Sequence, residues 1–210
     1  MPKDSIRTRL CLVTPAGFDD GFAAVLDDAL GGGDVASLII VPPPGMPEQL
    51  ARRLGGVGTR HGVATLIAAD SMPLTGLDGV HVEGGAAAVK AAIARHHPKY
   101  IVGAGGALSR HDAMIIGEAG PDYLFFGRLD GDGQPGIHPA AMALAEWWVP
   151  LFEIPAVVTG GSAIESVGEA AGLAIEFVAL RSAVWNDPRG PRAAVADANR
   201  ILAEVGEPVR

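Results

Sequence analysis

The chain has 210 residues, 49% hydrophobic and 19% charged, with 29 glycines and 16 prolines, a composition that buries a large core and turns often. Its formal net charge of −8 argues against nucleic acid or an anionic membrane as partner, while leaving room for a phosphorylated small molecule held by local donors. The single cysteine excludes a disulfide within the chain, and no run approaches the roughly 18 apolar residues of a membrane span, so the expectation is a soluble cytoplasmic protein folded as a single domain over residues 1–210.

Arg9 to Thr14 reads as the first strand and contains Cys11, a small buried apolar residue rather than a nucleophile. Asp19-Asp20 opens a helix from Gly21 to Leu30, with Phe22, Val25, Leu26 and Ala29 on its apolar face. Val35 to Val41 is a continuous apolar strand, and Pro47 to Leu54 a helix. Ala64 to Ala69 is strand three. Only a turn links it to strand four, Gly79 to Val82. The alanine-rich helix Gly84 to His97 follows, then the strand Tyr100 to Gly103 and the helix Ser109 to Ala119. Tyr123 to Gly127 is strand six, and a long loop from Arg128 to His138 leads to the helix Pro139 to Phe152. Ala156 to Val158 and Phe177 to Leu180 are strands seven and eight, and Pro191 to Val205 is the closing helix.

Eight short apolar runs alternating with helices argue for a parallel sheet covered on its faces, and eight such units close a barrel. The expectation is an α/β fold, a (β/α)8 TIM barrel whose third helix is short or missing. An open doubly wound sheet is the runner-up, but it would want a nucleotide fingerprint after strand one, where Thr14-Pro15-Ala16-Gly17-Phe18 stands.

The stretch Ile154 to Trp185 points to a ligand. Gly160-Gly161-Ser162 follows strand seven, and Arg181-Ser182 follows strand eight. Loops in these places are a common phosphate site in barrels, where glycines allow close backbone approach. The phosphate-binding candidates are Gly160, Gly161, Arg181 and Ser182, with Arg128 after strand six as a further clamp. A sharp strand-to-helix turn is the plainer reading of the two glycines.

Several segments are similar to a known family. Leu77-Asp78-Gly79-Val80-His81-Val82 resembles the ADGVHLG strand of thiamine phosphate synthases, and Ile154-Pro155-Ala156-Val157-Val158-Thr159-Gly160-Gly161 resembles their IPVVAIGGI. Ala119 to Gly127 resembles GADYVGLGP, and Phe177 to Val184 resembles VAVVSAI. The matches run in order over residues 77–185 and indicate the superfamily of thiamine phosphate synthase and thiazole tautomerase. That resemblance implies a (β/α)8 barrel and a transferase of thiamine biosynthesis. In that reaction a pyrimidine pyrophosphate loses pyrophosphate with Mg²⁺ help, and a thiazole phosphate attacks the cation left behind.

The family carries basic residues on strand two, aspartates after strands three and four, and a lysine after strand six. Here strand two lacks a basic residue, Asp70 matches the first aspartate, Ala86 stands at the second, with Glu83 nearby, and the loop after strand six carries Asp130, Asp132 and Gln134 without a lysine. The resemblance therefore makes Asp70 the candidate catalytic and magnesium-binding residue of a degenerate pyrophosphate site. The tautomerase's histidine after strand five has His111 as its nearest counterpart, and His138 is a further acid–base candidate. The alternatives are an isomerase or tautomerase acting on a phosphorylated heterocycle, and a non-catalytic phosphate-ligand-binding protein. His81, between apolar neighbours, reads as a satisfied interior histidine. Of Trp147-Trp148, one packs inward and the other is a candidate homodimer contact.

Overall fold

Four- and five-residue apolar runs, buried along most of their length, form the strands of the computed structural model, which describes residues 7–69 and 72–206. They are β1 (Arg9–Val13), β2 (Ser37–Ile40), β3 (Ala64–Ile67), β4 (Gly79–Glu83), β5 (Ile101–Gly105), β6 (Tyr123–Phe126), β7 (Ala156–Thr159) and β8 (Phe177–Leu180). Each pairs in parallel with its successor, and β8 returns to β1 to close the barrel. The helices are α1 (Phe22–Leu30), α2 (Glu48–His61), α3 (Gly85–His96), α4 (Arg110–Gly117), α5 (Pro139–Trp148), α6 (Ser166–Gly172), α7 (Ser182–Trp185) and α8 (Pro191–Gly206).

Strand alternation divides the core in two. Cys11, Val13, Ile39, Phe125, Val157 and Ala179 form a cluster within the barrel, while Leu10, Leu12, Leu38, Ile40, Leu124, Phe126, Val158 and Val178 pack outward under the helices. Between β3 and β4 the described residues contain no helix, as the sequence suggested. Asp78 pins this short connection by accepting the Thr65 N–H at 2.8 Å.

Two helical boundaries differ from expectation. α2 does not stop at Leu54 but continues through Gly55, Gly56 and Gly58 to His61, where Gly62 closes it in the left-handed conformation. The glycines that suggested a stop are packing residues. A Cβ on Gly55 would collide with the Gly76 carbonyl, and one on Gly58 with the Thr65 hydroxyl. α5 ends at Trp148 rather than Phe152, because the chain folds back there. The Trp148 indole donates to the Ile154 carbonyl at 2.8 Å and stacks on Phe152 with ring centroids 3.8 Å apart. Trp148 is buried. Trp147 is half-buried, with the Arg110 guanidinium 5.1 Å from its ring centroid.

The barrel interior is cut away beside β5. A Cβ on Gly103 would run into the Tyr123 ring, and one on Gly105 would sit 2.9 Å from His81 Nε2. The two glycines thereby let Tyr123 lie across β5 and reach His81. Among the described residues no helix is long and apolar enough to cross a membrane.

Candidate functional site

Parallel strands deliver their C-terminal ends, and the loops that follow, to one face of the barrel. At this face lies a cavity of about 540 Å³ whose lining includes His81, Glu83, Leu108, Arg128, Asp130 and Arg181. The loop between β6 and α5 arches over one side of it. The second half of that loop is tied to the β7–α6 turn: the Gln134 carbonyl accepts the Ser162 N–H at 2.8 Å and the Pro135 carbonyl accepts the Ala163 N–H at 3.1 Å. The Ile137 N–H donates to the Glu169 carboxylate at 3.3 Å.

This docking explains Gly161. A Cβ there would collide with the carbonyl of Pro135 and come within 2.6 Å of that of Gly136. The Gly161 N–H donates to the Ser166 hydroxyl at 3.0 Å, and the Gly160 N–H to the Ala179 carbonyl at 2.8 Å. Both N–H groups thus have partners within the chain.

Arg181 and Ser182, after β8, converge on one carboxylate. The Ser182 N–H donates to Asp132 Oδ2 at 2.7 Å, and Arg181 Nε lies 3.2 Å from Oδ1. The Asp132 side chain is 4% exposed and that of Arg181 22%. Burial pushes the Asp132 carboxyl up, but the Ser182 hydrogen bond and the Arg181 charge outweigh it and hold the group below the usual carboxylate range. Asp132 is therefore ionised at neutral pH. Arg128 is paired as well, its Nε and Nη2 donating to the two Asp130 oxygens at 2.9 and 3.1 Å in an exposed fork.

His81 occupies the floor of the mouth. Nδ1 lies 2.8 Å from the Tyr123 hydroxyl, while Nε2 has no hydrogen-bond partner among the described residues and sits 4.0 Å from Glu83 Oε1. Burial pushes the imidazole down to about 4, so the ring is neutral, and burial also raises the Tyr123 phenol, which stays protonated. A phenol proton given to Nδ1 leaves the N–H on Nε2. With Nδ1–H donating to the phenol oxygen instead, Nε2 is a bare acceptor, so in either tautomer the Nε2 edge is the one without a partner among the described residues. The sequence treated His81 as fully satisfied. Its half-satisfaction follows from Gly103 and Gly105, whose spacing was the available signal. Burial raises the Glu83 carboxyl beside it.

The histidines expected to do acid–base work are not among the residues that line this cavity. His111 is exposed in the first turn of α4. His138 is the N-cap of α5, where its Nδ1 accepts the Ala140 N–H at 3.2 Å; it lines a smaller side cavity with Leu108 and Arg128. Asp70, the expected catalytic and magnesium residue, lies outside the described residues. Among the described residues no group of three His, Cys, Asp or Glu side chains could hold a metal ion. At the mouth Asp130 pairs with Arg128 and Asp132 with Arg181.

A family model described as thiamine monophosphate synthase matches residues 10–184. The thiamine-phosphate synthase of Hyphomonas neptunium (strain ATCC 15444) is 36% identical over 208 residues, spanning 93% of this chain and 94% of that one. That of Rhodospirillum centenum (strain ATCC 51521 / SW) is 35% identical over 202 residues, spanning 92% and 97%. Among solved structures, a thiamine phosphate pyrophosphorylase from Pyrococcus furiosus superposes with a TM-score of 0.76 at 20% identity, covering 96% of this chain and 98% of that one. A 3-hexulose-6-phosphate synthase reaches 0.70 at 15% identity, covering 91% and 98%, a likeness of fold alone.

Proposed function

The chain belongs to the thiamine monophosphate synthase family, and from that premise we propose that it is a synthase-like protein of thiamine biosynthesis that binds a thiazole phosphate through Arg181 and Ser182. One observation carries this reading. A backbone N–H and a guanidinium, 2.7 and 3.2 Å from two oxygens of a single carboxylate, form a seat with the chemistry an anion needs. The phosphate would take the place of the Asp132 carboxylate on these donors. The cavity beside it would take the heterocycle, with the unpartnered His81 Nε2 edge buried beneath its floor. Gly160 and Gly161 would serve the site by holding the β6–α5 loop against the β7–α6 turn. Arg128, forked on Asp130, would help only after leaving that partner.

The pyrophosphate end of the reaction is the weak one. A leaving pyrophosphate needs several cations placed before the bond breaks. The described mouth offers two arginines, both paired, against three carboxylates. The described residues do not suit magnesium: no group of three His, Cys, Asp or Glu side chains among them could hold a metal ion, and Ala86 stands where the resemblance puts the second aspartate. The proposed role is therefore ligand binding with slow synthase turnover. An isomerase reading has less support, since His111 is exposed on α4 and the His138 ring is engaged in capping α5.

Calorimetric titration tests the seat. Thiazole phosphate is expected to bind at least about tenfold more tightly than the unphosphorylated hydroxyethylthiazole, since a charge-assisted hydrogen bond contributes about 1.5–3 kcal/mol. Arg181→Ala should remove most of that difference. Equal affinity for the two thiazoles would sink the reading.

A further inference from the structure

We propose that Asp132 is a built-in competitor for the ligand's phosphate, and so a residue that decides which ligands the mouth admits. The inference rests on the reading of Arg181 and Ser182 as the phosphate seat. In this structure that seat is already filled by a negative group of the chain itself. Asp132 accepts the Ser182 N–H and forms an ion pair with Arg181, is almost wholly buried, and is held ionised by them. A phosphate cannot share these donors with the carboxylate, because two anions in hydrogen-bond reach of the same N–H would repel each other at short range. Binding therefore requires Asp132 to leave.

The local chain is built for that movement. Asp132 stands between Gly131 and Gly133, and a Cβ at Gly133 would meet nothing within 4 Å. Beyond Gly133 the loop is anchored through the Gln134 and Pro135 carbonyls and the Ile137 N–H. Before it, the Gly131 N–H closes a local turn onto the Arg128 carbonyl at 3.0 Å, and the Thr159 hydroxyl holds that carbonyl on β7 at 2.9 Å, so the chain between the two anchors is Leu129 to Gly133. Asp132 can thus swing toward solvent while the anchored half stays on the β7–α6 turn. A glycine on each side supplies the backbone freedom the swing needs.

The consequence is selectivity. Apparent affinity falls by the fraction of molecules whose seat is open. A bare inorganic phosphate has little besides the seat to hold it and loses to the tethered carboxylate. A thiazole phosphate also fills the cavity, and those contacts offset the displacement. The seat therefore admits phosphates attached to a fitting heterocycle and excludes free phosphate.

The test uses the intact chain with Asp132→Asn, which keeps the shape and removes the charge, and Asp132→Ala, which removes the group. Thermal melts establish that both variants are folded, and either one that melts as the parent does suffices. Inorganic phosphate, thiazole phosphate and hydroxyethylthiazole are then titrated into parent and variant. The expected result is a dissociation constant about tenfold or more lower for both phosphates in the variants. Affinity for hydroxyethylthiazole should stay within about twofold. A merely structural Asp132 would move the three ligands together or not at all. Unchanged or weaker phosphate binding in the variants, in a parent that does prefer the phosphorylated thiazole, overturns the competitor and leaves the seat standing. Absence of any phosphate preference in parent and variants alike overturns both.

Discussion

Steady-state conversion of pyrimidine pyrophosphate and thiazole phosphate to thiamine phosphate, at saturating Mg²⁺, is expected to run at least about 10³-fold slower than in ordinary synthases. The reason is charge. One close pair of unit charges at an effective dielectric of about 20 is worth about 4 kcal/mol before desolvation. Loss of a single preorganised donor to a developing anion typically costs on the order of 10²–10³ in rate. In this chain β2 reads Ser37-Leu38-Ile39-Ile40, the β6–α5 loop has aspartates and no lysine, and Ala86 holds the place of an expected aspartate. The two arginines at the mouth are each bound to a carboxylate, so neither is free to neutralise a leaving group without first being released. A turnover comparable to ordinary synthases, abolished by Asp70→Ala, would show that other groups of the chain neutralise the leaving pyrophosphate.

Gly161→Val should destabilise the protein by about 2–4 kcal/mol and dislodge the β6–α5 loop. Its side chain would enter the space occupied by the Pro135 and Gly136 carbonyls. Backbone cannot yield as a flexible side chain does, so the loop must lift. Lifting breaks the Ser162-to-Gln134 and Ala163-to-Pro135 hydrogen bonds, each worth about 1 kcal/mol net, on top of the overpacking cost. Gly133→Ala is the control: a Cβ there meets nothing within 4 Å, and the expected change is under about 0.5 kcal/mol. Urea denaturation reads both variants. A Gly161→Val midpoint equal to that of the parent would mean that the loop does not pack on this turn.

The barrel was legible because its signal is local. β8 coincides with the run Phe177 to Leu180, and the lack of a helix between β3 and β4 among the described residues follows from the short connection out of β3. The end of α2 was not legible, because glycine is both a helix breaker and the residue that lets a helix approach a neighbouring backbone, and only the position of the Gly76 carbonyl separates the two at Gly55. The short α7, which begins at Ser182, carries too few residues to show a period. At the candidate site, Arg181 and Ser182 stand out in the sequence by their place after the last strand. Asp132 was seen only as a loop acid in a position without a lysine. Its pairing with Ser182, 50 positions away, arises from barrel closure and leaves no mark in the local sequence. The same holds for His81, whose Tyr123 partner lies 42 residues on and reaches it only because Gly103 lacks a side chain.

The central claim is that Arg181 and Ser182 receive the phosphate of a phosphorylated thiazole at the barrel mouth. A crystal structure with thiazole phosphate soaked in tests it most directly. The account predicts the phosphorus density against the Ser182 N–H and the Arg181 guanidinium, the ring above His81, and Asp132 turned out toward solvent about Gly131 and Gly133. A phosphate seated elsewhere, with Asp132 still bonded to Ser182 and Arg181, would contradict it.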